Sequence, residues 1–418
     1  MINISKFTKY IIIAALFLKA SGDLRAQNQN GQRSPKTHGQ KQYSIEQATS
    51  EQAQLHTIAF NGLAFITGSF GADCFFPPGK VSDFFGFQYM RDNDKNELGH
   101  NTDFLTRIAN NVISILNADQ LQQLKELAYK QSPVYDEFAG KRMVLIKAFR
   151  NELEGNIPLN KSQLSMEAVK KFCSELYELD AQLSYQRAIV IGNIIHSFSD
   201  SQKAFLSKFN FDNSSTWPEI PENLDKKSLS HRAHVCVMTY ASELFSWYAG
   251  SVNADVYFCP ERHGTYFGGF YLKDYPAMGN HGYKISTSLT GDKGHDFLSV
   301  LSTGQADLLN GLIPAQFQLL KEIIKIRTDV SSELRKTMND EIPNKEKVFS
   351  LIKRYGEIDG EMSYNYAICF AKINKSISPK QKEKLIKIRD LKVIPKGAYL
   401  FSDPVYIPEI ENTDFLFE

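Results

Sequence analysis

Histidine and cysteine, the side chains best suited to a transition metal, concentrate in one stretch of the chain. Five of the nine histidines lie between positions 231 and 295, and Cys259 lies among them, four residues before His263. Imidazole and thiolate are good ligands for zinc and copper, and both also ligate haem iron. The predicted transition-metal or haem site consists of His231, His234, Cys259, His263, His281 and His295.

The spacing of these residues leaves a second interpretation open. His231 and His234 are three residues apart, so on a helix they share one face. The whole set matches neither a zinc finger nor the CxxCH motif that attaches haem. The alternative is a scatter of surface and core histidines with an unreactive cysteine.

Oxygen ligands for calcium form another candidate site. The stretch 92–103, DNDKNELGHNTD, follows part of the calcium-loop pattern, but Glu97 occupies the sixth position, where such loops need glycine. The alternative is a polar loop that ends at a helix N-cap, Thr102. The residues at positions 1, 3, 5 and 12 of the pattern are Asp92, Asp94, Asn96 and Asp103.

One aromatic-rich stretch occurs twice. ADCFFPPGKVSDFFGFQYMRD (72–92) aligns without a gap on ADVYFCPERHGTYFGGFYLKD (254–274), with eight identical pairs. We interpret these two aromatic segments as a repeated architectural element, and they could meet across a pseudo-twofold axis. The matched residues include Asp73 with Asp255, Phe76 with Phe258, Lys80 with Arg262 and Tyr89 with Tyr271. The acid and the base of each segment could form an ion pair.

The aromatic segments also contain two of the five cysteines, at nearly equivalent positions. If the segments meet, Cys74 and Cys259 could form a disulfide, provided that the geometry allows it. The five cysteines show no framework spacing and are odd in number, so at least one thiol stays free.

Two further matches occur in the same order along the chain. Residues 180–206 align without a gap on 359–385, and LNADQLQQL (116–124) echoes LSTGQADLL (301–309). Because every offset is close to 180 residues, the sequence predicts a tandem duplication.

The duplication sets the predicted domains. We expect two homologous helical halves, at 44–225 and 226–418, the second ending in a C-terminal tail. Asp180 and Asp359 recur in the middle of matching helices. They could act as ligands or as acid–base groups, or they could satisfy a neighbouring helix.

Helical periodicity dominates the rest of the sequence. Apolar residues recur at three- and four-residue spacing in long stretches such as 166–198 and 315–338. A capping-box pattern, in which Ser or Asn precedes Gln by three residues, marks helix starts. We therefore predict an all-α fold. The pairs are Asn117 with Gln120, Ser199 with Gln202, Ser302 with Gln305 and Ser378 with Gln381.

These capping motifs, written L-S/T-x-x-Q-x-x-x-L, resemble the LTxxQ motif of a family of small periplasmic stress proteins. The resemblance covers about nine residues at each of four places, and this chain adds the aromatic segments. It implies an all-helical fold, in a family of which some members bind metal or act as chaperones. The aromatic segments look like those of a group of uncharacterised secreted bacterial proteins.

The N-terminus has the composition of a secretory signal peptide. Residues 1–26 combine a basic start, an apolar run from Tyr10 to Leu18 and small residues before Ala26. That run is too short to span a membrane and no later run is long enough, so no membrane span is expected after signal removal. Residues 27–43 are polar and predict a flexible linker. We expect the mature chain to be periplasmic or secreted.

Composition and motifs narrow the function. The formal charge is +1, and we find no RNP motif, zinc finger or lysine-rich stripe, so no nucleic-acid partner is expected. The sequence contains no GxSxG, P-loop or HExxH motif, and no GxGxxG after a strand. It predicts an extracytoplasmic helical binding protein for a ligand, a metal or an apolar partner. The alternative is a metal- or haem-dependent redox protein with its site in the second half.

Overall fold

Helices form most of the described chain, which confirms the predicted all-α fold. The computed structural model describes residues 45–73, 75–76, 81–93, 102–210, 213–257, 266–269, 272, 291–389, 398–400 and 403–418. The helices are α1 (Ile45–Ala48), α2 (Glu51–Thr67), α3 (Phe87–Asn93), α4 (Thr102–Ile115), α5 (Ala118–Glu154), α6 (Met166–His196), α7 (Asp200–Leu206), α8 (His231–Ala249), α9 (Val252–Asp255), α10 (Gly291–Val300), α11 (Thr303–Asn310), α12 (Leu312–Leu334), α13 (Lys345–Ser376) and α14 (Pro379–Arg389).

All four predicted capping boxes start helices. In each box the Ser or Asn side chain accepts from the N–H three residues later, while the Gln side chain accepts from the cap residue's own N–H. The Gln side-chain amides also donate hydrogen bonds outside their own capping boxes, which the sequence pattern does not predict. Gln202 Nε2 donates to Gln120 Oε1 (2.7 Å), and Gln381 Nε2 donates to Gln305 Oε1 (2.8 Å). The capping boxes are thus tied together in pairs, one pair in each predicted half.

Helices α6 and α13 lie antiparallel at the centre of the fold. Lys170 Nζ contacts the carboxylate of Glu361 at one end (2.7 Å), and Tyr185 OH donates to the carbonyl of Pro343 at the other (3.2 Å). Close approach requires glycine on α13, because a Cβ at Gly356 would lie 2.6 Å from a carbonyl oxygen of α6. Other helices pack against this pair through buried apolar side chains.

Helices of one predicted half pack against helices of the other half. Helix α4 packs against α8, and α10 packs against α2. Asn111 of α4 donates to the carbonyl of Pro218, in the connection that leads to α8 (2.8 Å). Tyr43–Glu418 therefore forms one compact unit, with contacts that run across the predicted boundary between 225 and 226. The two halves and the duplication stay predictions.

Three short strands and the C-terminal tail complete the described fold. Strand β1 (Phe75–Phe76) pairs in parallel with β2 (Ala398–Leu400), which pairs antiparallel with β3 (Asp403–Val405). The tail docks beside the start of α6, where Leu416 O accepts from the N–H of Ser165 (2.8 Å). None of the helices described here is both long and apolar enough to cross a membrane.

The predicted signal peptide, residues 1–26, and the predicted linker, residues 27–43, lie outside the described residues. Periplasmic or secreted localisation therefore stays a prediction that rests on the amino-acid sequence.

Three cysteines are buried in the described core and form no disulfide. They are Cys173, Cys236 and Cys369. Burial raises the pKa of Cys236 and Cys369 to about 12, and that of Cys173 well above its ordinary value. Because the thiolate is the reactive form, these thiols are poor candidates for disulfide exchange. Cys74 and Cys259, the predicted disulfide pair, lie outside the described residues.

We expect protein exported to an oxidising compartment to contain one disulfide, Cys74–Cys259, and three free thiols. Alkylation in denaturant without reductant, read by mass spectrometry, should modify Cys173, Cys236 and Cys369 only. Reduction before alkylation is the control and should expose all five cysteines. Modification of Cys74 and Cys259 without reductant would contradict the disulfide.

Candidate functional site

The described histidines of the predicted metal site lie on different helices and have different partners. His231 starts α8, and His234, one turn later, bonds through Nε2 to the carboxylate of Glu222. His295 lies exposed on α10, with its ring centroid 6.1 Å from that of His56. Among the described residues, no three His, Cys, Asp or Glu side chains form a group that could hold a metal ion.

The remaining predicted ligands fall outside the described residues. Cys259, His263 and His281 of the metal site do so, and the transition-metal or haem site therefore stays a prediction. Of the predicted calcium ligands, Asp94 and Asn96 also lie outside. The structure describes only the backbone of the other two, Asp92 in α3 and Asp103 in α4. The alternative interpretation fits the start of helix α4 at Thr102.

The two aromatic segments meet. The rings of Tyr89, from the first segment, and Tyr257, from the second, pack edge to face with centroids 5.3 Å apart. Asp255 of the second segment is buried, and its carboxylate pairs with Arg335, the residue directly after α12, a partner that the sequence did not indicate. Asp73 lies in a 3-10 turn and Phe76 in β1, and the remaining predicted segment residues lie outside the description: Lys80, Phe258, Arg262 and Tyr271.

Buried charged side chains hold the backbone of the first segment. Asp180 Oδ1 accepts from the N–H of Ser82 (2.5 Å), whose φ of 63° is left-handed and unusual for a residue other than glycine. Arg187 Nη1 donates to the carbonyl of Ser82 (3.3 Å). Arg327 Nη2 donates to the carbonyls of Asp83 and Asp255, each at 2.8 Å, so one guanidinium joins both segments.

Arg187 is also the centre of a buried group that we name the charged cluster: Gln131, Tyr135, Arg187, Tyr240 and Glu243. Arg187 Nη1 lies 2.9 and 3.0 Å from the carboxylate oxygens of Glu243, and the two side chains are 1% and 0% exposed. Nη2 donates to Tyr135 OH and to Gln131 Oε1 (3.3 Å). The guanidinium also lies over the ring of Tyr240, 4.5 Å from its centroid.

Burial controls the electrostatics of this region. It raises the pKa of Asp180 to about 6, against the opposing effect of the Ser82 N–H and of the nearby guanidinium groups. It also raises the pKa of Glu243 above its ordinary range, and the charge of Arg187 opposes that rise. Tyr135 is likewise harder to ionise, because desolvation raises its pKa. These groups lie away from solvent and bond to one another and to backbone, so their evident role is to position helices and segments.

The displacements that align the predicted repeats place neutral residues opposite three members of the charged cluster. Gln316 corresponds to Gln131, Tyr366 to Arg187 and Asn61 to Glu243. Tyr366 OH donates to Gln316 Oε1 (2.7 Å), as Tyr240 OH does to Gln131 Oε1 (2.8 Å). Asn61 is fully buried, and neither polar atom of its amide has a hydrogen-bond partner in the part of the chain that the structure describes.

Other contacts repeat without change of chemistry. Arg150 Nη1 donates to the carbonyl of Phe65 (2.7 Å), and its counterpart Arg335 donates to the carbonyl of Trp247 (3.1 Å). Each guanidinium also lies over the ring whose carbonyl it binds. The arginine–carbonyl contacts are thus alike at the two aligned positions, whereas the charged cluster occurs at one of them.

Sequence reasoning selected Asp180 and Asp255 but missed their surroundings. Arg187 and Glu243 each interrupt a long apolar helical stretch, and a charge at a core position of a helix was the available signal. Arg327 lies in a more polar helix and gave less indication.

No family model, no curated protein and no solved structure matches the chain. Its function therefore has to be inferred from its own residues.

We expect the Arg187–Glu243 pair to behave as one unit in unfolding. Glu243→Gln leaves a buried cation without its counter-charge and should lower the free energy of unfolding by about 3–5 kcal/mol. The double variant Arg187→Tyr/Glu243→Asn copies the residue types of Tyr366 and Asn61, and should cost clearly less than the sum of its two single variants. Urea unfolding measures all of these variants.

The control for this cycle is Lys170→Gln, which removes a partly exposed ion pair with Glu361 and should cost less than about 1 kcal/mol. Additive single-variant effects at positions 187 and 243 would contradict a coupled pair.

Asp180 should make the protein less stable as pH rises from about 4 to about 6. Its pKa is about 6 in the folded chain and 3.8 as the ordinary value, so the folded state binds more protons across that window. Asp180→Asn keeps an oxygen to accept from Ser82 and removes the titration. Between pH 4 and pH 6, the free energy of unfolding of the unsubstituted protein should fall by on the order of 3 kcal/mol relative to that of Asp180→Asn. Parallel pH profiles of unfolding free energy would contradict the raised pKa.

Proposed function

We propose that the chain is an extracytoplasmic binding protein that contacts an anionic partner through one lysine-rich surface. We name this surface the lysine corner, since it lies where helix α13 ends and α14 begins. Its location outside the cytoplasm rests on the predicted signal peptide. The lysine corner consists of Lys372, Lys375, Lys380, Lys382, Lys384 and Lys387.

Charge at the lysine corner is concentrated and largely unneutralised. All six lysines are exposed, and Glu383 is the only acid between positions 372 and 387. Glu383 pairs with Lys387 (2.7 Å), whereas within the described chain Lys380, Lys382 and Lys384 contact no carboxylate. A chain with a formal charge of only +1 therefore has a strongly basic local surface.

The inner face of α14 fixes the direction in which the lysines project. Gln381 Nε2 donates to the carbonyl of Val300 (2.9 Å), Leu385 is fully buried, and Arg389 Nη1 donates to the carbonyl of Ala64 (3.0 Å). These anchors recur every four residues and so occupy one side of the helix. The lysines of α14 therefore lie on the other sides of this helix.

The fold itself does not require most of these lysines, and this observation carries the proposal. The displacement that aligns α13 and α14 with α6 and α7 puts Asn193, Ser201 and Phe205 opposite Lys372, Lys380 and Lys384, and only Lys382 and Lys387 match lysines, Lys203 and Lys208. The corresponding corner keeps the same capping-box contacts with a smaller basic charge.

Helix electrostatics also disfavours part of the lysine corner. Lys380 and Lys382 lie in the first turn of α14, next to the positive end of the helix dipole. Cations stabilise helix C-termini, which accounts for Lys375 in the last turn of α13 but not for the lysines that start α14. Binding of an anion accounts for both groups.

The expectation of no lysine-rich stripe is wrong at residues 372–387, and the small net charge of the chain had concealed this surface. The six lysines are spaced over two helices, and the acids elsewhere in the chain cancel them in the total. The alternative function, a metal- or haem-dependent redox protein, has no supporting contact among the described residues.

We expect the mature chain to bind an immobilised sulfated polysaccharide at low salt and to elute as salt screens the charges. Lys380→Gln, Lys382→Gln, Lys384→Gln and Lys387→Gln, combined in one variant, should elute at clearly lower salt. The matched control combines Lys130→Gln, Lys171→Gln, Lys203→Gln and Lys208→Gln, which removes the same charge from exposed positions elsewhere. Equal elution of the two variants would contradict a specific basic surface.

A further inference from the structure

We propose that the anionic partner of the lysine corner is the surface of a phospholipid bilayer, and that Ile386 enters its headgroup region. This proposal rests on the proposed function and specifies its partner. Ile386 and the lysine corner together define the contact.

Ile386 distinguishes a bilayer from a soluble polyanion. Its side chain is 56% exposed, although it lies on a helix that already buries Leu385. Lys382 lies one turn before it on the same flank, and Lys387 follows it directly. A soluble polyanion would neutralise those lysines but would leave the apolar side chain in water. At a bilayer surface, lipid phosphates can bind the ammonium groups, and the boundary between headgroups and acyl chains can take up the isoleucine side chain.

A second exposed apolar side chain lies beside the corner. Leu308 of α11 is 39% exposed, and its carbonyl accepts from Cys369 Sγ (3.4 Å). Cys369 is three residues before Lys372 on α13, so this leucine lies close to the first lysine of the corner. Apolar and basic residues are therefore adjacent on two helices.

The neighbouring acids do not cancel the basic surface. Asp307 on α11 and Glu383 on α14 are the exposed acids of these two helices, and Glu383 already pairs with Lys387. Helix α10, which packs against α14, contributes the half-buried Asp296 and also Lys293, whose Nζ bonds to the carbonyl of Ile388. Long lysine stems can lie along apolar surface while their ammonium groups reach phosphate.

The expected mode is reversible attachment at the surface. Each lysine near an anionic bilayer strengthens binding about fivefold, and partial burial of one isoleucine contributes a factor of similar size. Six lysines with one or two apolar side chains are sufficient for peripheral binding without a spanning segment.

The test is co-sedimentation of the mature chain with vesicles of phosphatidylcholine containing phosphatidylglycerol. We expect binding to these vesicles at low salt and none to vesicles of phosphatidylcholine alone. The four-lysine Gln variant should lose binding by about a hundredfold or more. Ile386→Ser should weaken binding about fivefold and leave retention on the sulfated polysaccharide unchanged. Leu159→Ser is the matched control, because Leu159 is 90% exposed in the connection between α5 and α6.

The outcomes separate the two proposals. Retention on the sulfated polysaccharide without binding to anionic vesicles would overturn the bilayer and leave an anionic binding protein. Vesicle binding that is indifferent to Ile386→Ser, or equally sensitive to Leu159→Ser, would also overturn the proposed contact. Failure to bind either probe would overturn both proposals. Circular dichroism verifies that these surface variants remain folded.

Discussion

The guanidinium of Arg187 is the constraint on which much of the interior depends. A cation buried this deeply destabilises the fold unless an anion and several hydrogen-bond acceptors surround it. Glu243 supplies the anion from α8, Gln131 and Tyr135 supply acceptors from α5, and Ser82 supplies a carbonyl from the first aromatic segment. One side chain of α6 thereby fixes the relative position of two other helices and a segment.

Similar contacts recur at positions that the predicted tandem duplication aligns, and the duplication itself stays a prediction. Arginines bind the carbonyls of Phe65 and Trp247 in matching contacts, and glutamines link matching capping boxes. At the position aligned with Glu243 the chain has Asn61, whose amide has no hydrogen-bond partner among the described residues. An unpartnered amide costs less free energy to bury than an unpaired charge.

Charge has separate roles inside and outside the molecule. The buried arginines and aspartates bind one another or backbone, and they join the two aromatic segments through Arg327. The exposed lysines of α13 and α14 lie on an apolar anchor and have few partners in the described chain. The interior charges position the helices and the aromatic segments, and the exterior charges are accessible to a binding partner. The proposed binding function rests on these exposed lysines, most of which helix capping and packing do not require.

The helices, their capped starts and the aromatic segments can be predicted from the amino-acid sequence, because periodicity and capping act over three or four residues. The sequence also marks Asp180 and Asp255 as recurring acids. The packing of α4 on α8, the pairing of Arg335 with Asp255, and the pairing of Arg187 with Glu243, 56 residues away, become visible only in the folded chain. Local pattern cannot choose among many possible partners for a buried charge, since the choice depends on how whole helices pack. Exposure of the lysine corner was likewise decided by the packing of α14, which buried Leu385 and left Ile386 in solvent.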